Sequence, residues 1–168
     1  LTAADLRFNP PSFSIPQLQD ELLHHFNLKG TYKPLVGERD QNHLLTTDDG
    51  KKYVVKIAGP DEDRLTVDYQ IKTLLHIESK NPSLNIPRNL KTKDGNNLTF
   101  IKSADGRNHI MRVLSYLEGV PFGSSYRPPL KVLEDAGRFQ GRMCNALSDF
   151  SHPSEGYFMA WDTSQGLI

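Results

Sequence analysis

The 168-residue sequence predicts an α+β fold, an antiparallel sheet of about five strands with flanking helices. Two observations carry this expectation. Apolar residues recur at helical spacing in three separate stretches, and the segments between them read as strands punctuated by Asp-Gly turns. The early strands are joined by a tight hairpin, which makes them antiparallel rather than part of a doubly wound parallel sheet.

The elements follow in order. "SIPQLQDELLHHFNLKG" reads as the first helix, behind an irregular arm containing Pro10 and Pro11. Ser14 can cap it, Gln17 completes a capping box, and Pro16 suits the first turn. Leu18, Leu22 and Phe26 share one face, and Gly30 can end the helix. "TYKPLV", "NHLLTT" and "KKYVVKIA" are three strands, the last two joined at Asp49-Gly50. Pro60 opens the helix "DEDRLTVDYQIKTLLHIE", whose acidic start suits the helix dipole and whose stripe is Val67, Ile71, Leu74 and Leu75. The segment "NIPRNLKTKDGNNLTFIKSADGRNHIMRVLSYLEG" reads as strands broken at Asp94-Gly95 and Asp105-Gly106, the last strand covering about 108–117. After the connector "GVPFGSSYRPP", a third helix "LKVLEDAGRFQGRMCNALSDF" places Leu133, Ala136, Phe139, Met143 and Leu147 near one face. Gly137 and Gly141 on it would let another element approach closely. The tail "SHPSEGYFMAWDTSQGLI" is aromatic and without period.

Charge and composition exclude several function classes. The chain has 20 basic and 20 acidic residues, a formal net charge of zero, so no basic excess calls for nucleic acid or an anionic membrane. No apolar run approaches the ~20 residues of a membrane span. "LTAADLRFNPPSF" lacks the basic-then-apolar order of a signal peptide, and a chain starting at Leu1 is expected to be a segment of a longer product. Cys144, the single cysteine, cannot form an internal disulfide, which fits a reducing, cytoplasmic location.

Lys56 poses the functional question, since it stands inside the apolar run "YVVKI". Strand alternation puts Tyr53, Val55 and Ile57 on one face and Val54 and Lys56 on the other. The second face therefore offers an apolar group and a cation, the two things a nucleotide needs for its base and its phosphates. The preceding loop "VGERDQN" has one glycine followed by polar residues and is neither a six-position glycine motif nor a Walker loop. Taken alone it reads as a polar hairpin tip, and Lys56 taken alone reads as a strand lysine reaching water.

Three stretches, "GERDQNHLLTTDDGKKYVVKIA", "VDYQIKTLLHI" and "HIMRVLSYLEGVPF", resemble the amino-terminal lobe of the aminoglycoside phosphotransferase and choline kinase superfamily, small-molecule kinases with a protein-kinase-like fold. "EDAGRFQGRMCNALSDFSHP" and "FMAWD" are similar to its hydroxylysine kinase branch, whose relatives include phosphotransferase domains fused to class III aminotransferases. The resemblance covers roughly residues 18 to 162. It implies an N-terminal arm and helix over 1–30, a nucleotide-binding lobe with hinge over 31–119, and a connector helix and tail over 120–168 leading to an absent carboxyl-terminal lobe. It implies that Lys56 contacts the nucleotide α- and β-phosphates and that Val54 lies over the base. Gly37, Glu38, Arg39, Asp40, Gln41 and Asn42 would form the phosphate-side loop. Ser115, Tyr116, Leu117 and Gly119 belong to the hinge "SYLEG", whose backbone would read the base edge. The implied reaction is transfer of the γ-phosphoryl group of ATP or GTP, with Mg²⁺, to a hydroxyl of a small amino alcohol or hydroxy amino acid.

The sequence also departs from the family. A helix glutamate ordinarily pairs with this lysine, and Gln70 stands there instead. Gln70 leans toward the buried stripe, three residues after Val67 and four before Leu74, whereas Asp68 lies about 200° away at ~100° per residue and should face water. The amine of Lys56 is expected within hydrogen-bond reach of Gln70, directly or through one water. The family's His-Gly-Asp segment, with an Asn five residues after the Asp, and its later metal-binding Asp have no counterpart here. No catalytic residue and no metal ligand is therefore assigned, and the chain alone is expected not to turn over. The alternative is a non-catalytic binding or interaction domain derived from a kinase lobe. A face left by a missing lobe would also favour self-association.

The remaining candidates read as structure. His24 and His25 point about 100° apart on a helix and cannot grip one ion. His43, His76, His109 and His152 show no paired spacing. Cys144 reads as a small buried residue. Tyr157, Phe158 and Trp161 are expected to cover the third helix.

Overall fold

In a computed structural model of the chain, which describes residues 10–121 and 127–156, three helices flank one five-stranded sheet. Helix α1 spans Ile15–Phe26, β1 Gly30–Leu35, β2 Gln41–Thr47, β3 Lys52–Ile57, α2 Arg64–Lys80, β4 Thr99–Lys102, β5 Asn108–Ser115 and α3 Leu130–Ala146. The sheet order is β1-β2-β3-β5-β4 and every pairing is antiparallel, as the hairpin signals require.

The capping box at Ser14 and Gln17 forms, with Pro16 in the first turn. Asn27, not Gly30, closes α1, at φ 55° in the left-handed region that asparagine tolerates. Gly30 instead opens β1 against Thr47, where a Cβ would overlap the backbone of Thr46. Asp63 caps α2, and no acid lies in its first turn.

Two hairpin tips share one device. Thr47 and Ser103 each donate a side-chain hydrogen bond to an aspartate two residues on, Asp49 and Asp105. Glycines with φ 79° and 82° then complete the turns, and Thr47 and Ser103 N–H bond to the carbonyls of Lys51 and Arg107. The Lys51 ammonium, with the Thr47 hydroxyl, holds the Asp49 carboxyl at a pKa of about 2, and the Ser103 hydroxyl with Arg107 holds Asp105 at about 2. Asp94-Gly95 makes a turn of the same hand at φ 80°, but no strands flank it. The stretch before β4 carries only an isolated bridge from Asn89 to Leu114, so the strands expected there reduce to β4 and β5.

Alternation gives the sheet two faces. Leu45, Val55, Ile57, Met111 and Val113 pack with Leu18, Leu22 and Phe26 of α1 and with Phe13 and Ile101. On the opposite face Val67 and Ile71 of α2 meet Ile110 and Ala58. Among the described residues α3 packs against the rest through its last turns, where Ala146, with Met143 and Leu147, joins Ile77, Leu84 and Ile86. Leu133 and Phe139 of its expected apolar stripe are exposed, and nothing among the described residues approaches Gly137 or Gly141. Cys144 is likewise exposed rather than buried. A stripe at helical spacing records that a face is apolar, not what covers it.

Candidate functional site

The face turned toward α2 carries two cross-strand rows. Leu44, Val54 and Leu114 stand in register on β2, β3 and β5. One step further along, Asn42, Lys56 and Arg112 do the same. Paired residues in antiparallel strands project on the same side, so an apolar row lies beside a polar, doubly cationic one. Arg112 is buried and the other five are half-buried, accessible to a ligand but not freely solvated.

Lys56 is not paired with Gln70. Its Nζ lies 2.9 Å from Asp40 Oδ2 and donates to Asn42 Oδ1 at 3.2 Å. Gln70 does face inward, as its helical position requires, but its Oε1 accepts from Nη2 of Arg112. The expected contact fails because Gln70 is taken by Arg112 of β5, and Lys56 by Asp40 and Asn42. Burial pulls the Arg112 guanidinium below its ordinary value, and the carboxylates of Asp40 and Glu62 oppose that pull. Burial in turn pushes Glu62 up, with Asp40 adding to the effect and Arg39 and Arg112 resisting it. Arg112 was missed in the sequence, although it carries the signal that marked Lys56: a cation within an apolar strand.

Loop residues 36–40 divide. Gly37, Glu38 and Arg39 are exposed, whereas Asp40 is half-buried on Lys56. Gly37 has a packing reason to be glycine, since a Cβ would overlap the Asp40 carbonyl oxygen and the Asn42 side-chain amide. Gln41 begins β2 on the α1 side and is tied elsewhere. Its Oε1 accepts from Phe13 N at 2.7 Å and its Nε2 donates to Phe13 O at 2.8 Å. One residue of register thus removes Gln41 from the face that holds Asn42.

At the hinge, Ser115 and Tyr116 have already committed their amides. Ser115 N donates to Arg88 O at 2.8 Å, and Tyr116 N to Lys52 O at 3.1 Å. Ser115 Oγ accepts from Arg88 N. Lys52 Nζ bonds Glu118 Oε1 at 2.6 Å. Leu117 and Gly119 follow on the exposed side.

Asp68 does not simply face water. It accepts from Lys72 at 2.7 Å and pairs with His152 at 3.0 Å, which holds its carboxyl below the ordinary value. Ser154 N donates to His152 Nδ1, so Nε2 carries the proton given to Asp68. Phe150 lies between the rings of Tyr69 and His76, and Asp149 bonds His76 and Lys80. Residues 149–155 are thereby fastened to the outer side of α2. Tyr157, Phe158 and Trp161 lie outside the described residues.

His76 and His152 are each held by an aspartate, Asp149 and Asp68. His109 bonds Ala58 O at 3.0 Å and Ser103 Oγ at 3.3 Å. Among the described residues no three His, Cys, Asp or Glu side chains converge on a metal position, and no helix is long and apolar enough to cross a membrane.

This sheet, with α2 laid across its cationic face, matches kinases of known structure. An amicoumacin kinase in complex with AMP-PNP, Ca²⁺ and Ami aligns with TM-score 0.69 at 12% identity, covering 84% of this chain and 42% of that one. A microcompartment-associated aminopropanol kinase aligns with TM-score 0.65 at 13% identity, covering 89% of this chain and 45% of that one. The chain thus has a kinase-like small-molecule phosphotransferase fold and spans less than half the length of these two structures. Residues 31–164 match the profile of the phosphotransferase enzyme family (APH), and the chain belongs to that family. Comparison with curated protein sequences found no match.

Proposed function

We propose that this chain is the nucleotide-binding lobe of a kinase that phosphorylates a hydroxyl of a small amino alcohol or hydroxy amino acid. The observation that carries the proposal is the pair of rows on one sheet face. Leu44, Val54 and Leu114 would roof the base, and Lys56, one register step away, would hold the phosphates of ATP or GTP. Gly37 to Asn42 would close on the phosphate side, with Gln41 acting only through the backbone. Leu117 to Gly119 would read the base edge, since Ser115 and Tyr116 N–H are committed. The two kinases with this fold support the nucleotide and amino-alcohol parts of the reading, one by its bound AMP-PNP and the other by its aminopropanol substrate.

The sequence holds no His-Gly-Asp segment, so the described residues bind and orient but do not supply the catalytic Asp. Exposed Leu130, Val132, Leu133 and Phe139 on α3 would seat a second lobe in the intact enzyme, or a second copy of the chain in its absence.

Titration with Mg-ATP and Mg-GTP, followed by methyl and amide NMR, tests the reading. Shifts should centre on Val54, Leu44, Leu114 and the 36–42 loop. Shifts centred instead on Lys72, His76 and Phe150, which line a separate pocket on the outer side of α2, or on the face covered by α1, would reject it.

A further inference from the structure

We propose that Arg112 is a positioning residue of the nucleotide site: when phosphates take Lys56, the Asp40 carboxylate leaves the lysine and moves to the Arg112 guanidinium. The proposal rests on the reading of Lys56 as the phosphate-holding lysine.

Three observations lead to it. First, Lys56 is already occupied, with Asp40 Oδ2 at 2.9 Å and Asn42 Oδ1 at 3.2 Å. A phosphate reaching the amine competes with a carboxylate of the same sign, and two anions cannot share one ammonium at close range without repulsion. Asp40 must then go somewhere. Second, Arg112 is 7% exposed, and only one side of its fork is used. Nη2 donates to Gln70, while Nη1 is buried with no hydrogen-bond partner. A buried donor left unpaired is costly, and a native arginine rarely keeps one without a use. Third, Arg112 stands in register beside Lys56, and the Asp40 carboxylate already acts on its charge. Asp40 belongs to the 36–40 loop rather than to a strand, so its carboxylate can turn from one cation to the next without breaking the ladder that starts at Gln41.

Gln70 acquires a purpose in this arrangement. A glutamate at that place would neutralise Arg112 and leave no charge for Asp40 to find. The neutral amide orients the guanidinium through Nη2 and leaves Nη1 without a hydrogen-bond partner. Glu62 supplies a second carboxylate beside Arg112, and Arg39 and Arg112 both act on it.

The test is nucleotide affinity of the full chain in a double-mutant cycle, read by NMR titration with Mg-ATP, together with the Arg112 side-chain N–H resonances. Arg112→Met should weaken Mg-ATP binding about tenfold or more, the worth of a charge-assisted hydrogen bond. In an Asp40→Asn background the same substitution should change affinity by less than about twofold, because there is no carboxylate left to receive. Arg112→Lys should recover part of the loss. A merely structural arginine would weaken binding equally in both backgrounds, and that result would overturn the proposal. Should Arg112→Met fail to fold, the wild-type spectrum decides. Mg-ATP should shift the Arg112 guanidinium N–H signals in the native chain and not in Asp40→Asn. Unmoved signals in both, with nucleotide bound, would defeat the proposal alone. Binding that is indifferent to Lys56→Ala would defeat the reading of Lys56, and the proposal with it.

Discussion

Replacing Lys56 by alanine separates a strand lysine from a phosphate-holding one. In the free protein the substitution removes one ion pair, Lys56 Nζ to Asp40 Oδ2 at 2.9 Å, with side chains 24% and 22% exposed. Exposed pairs contribute at most about 1 kcal/mol, and a charge-assisted hydrogen bond in a half-buried place about 1.5–3 kcal/mol. The loss, which includes the bond to Asn42, is offset in part, because Arg112 stands directly across on β5 and is repelled by the lysine. Stability should therefore fall by no more than about 3 kcal/mol. Nucleotide affinity should respond differently. A charge-assisted contact contributes about 1.5–3 kcal/mol, which at 1.4 kcal/mol per factor of ten is a loss of about 10- to 150-fold. On the proposed reading the chain should bind nucleotide weakly, on the order of millimolar, since one lysine and a few loop amides must offset an association cost of at least ~4 kcal/mol. Urea unfolding and NMR titration with Mg-ATP give the two numbers. Destabilisation beyond about 3 kcal/mol with unchanged affinity would refute the reasoning and leave Lys56 as the tie that holds the 36–40 loop to β3.

Leu22→Ala should cost about 2.7–5 kcal/mol in urea unfolding, because Leu22 is fully buried between α1 and the sheet, while Leu133→Ala on exposed α3 should stay within about 0.5 kcal/mol; equal costs would mean that α3 is covered in solution. Asp68 is held below its ordinary value of 3.8 by Lys72 and His152, so its stabilising effect is present above that value and disappears as pH falls through the folded one. Asp68→Asn should accordingly flatten the acid limb of a melting-temperature profile below about pH 4, and a profile parallel to wild type would contradict the pairing. Gly37→Ala should displace the loop, seen as amide shift changes at 38–42 and a weakened Lys56–Asp40 pair, since its Cβ would overlap Asp40 and Asn42 atoms; a spectrum confined to residue 37 would show that the loop gives way freely.

Much of the architecture was legible because it is written in local chemistry. Ser14, Pro16 and Gln17 specify a helix start whatever lies around them, and the capping box formed. Asp-Gly tips fixed the hairpins, and strict alternation around Lys56 separated the two faces of β3 correctly. The family match over 31–164 overlaps nearly all of the resemblance over roughly 18 to 162. Helix endings were harder: Gly30 and Asn27 both suit a left-handed cap, and only the strand that Gly30 begins resolves which one serves.

The sequence by itself determined the kinds of elements, their faces and the presence of a lysine in an apolar strand, because propensity, capping and periodicity act over a few residues. Which groups meet across the sheet was decided by tertiary structure. Register set Asn42, Lys56 and Arg112 in one row and turned Gln41 to the other face, a difference of one residue that no local signal encodes. Gln70 faced inward as its spacing required, yet its partner was Arg112, supplied by β5 42 residues away in sequence. Lys56 met Asp40 because the 36–40 loop folds back over β3. The open flank of α3 followed the same logic. Its apolar stripe was plain in the sequence, but burial depends on what packs against a helix, and among the described residues only its last turns found a neighbour.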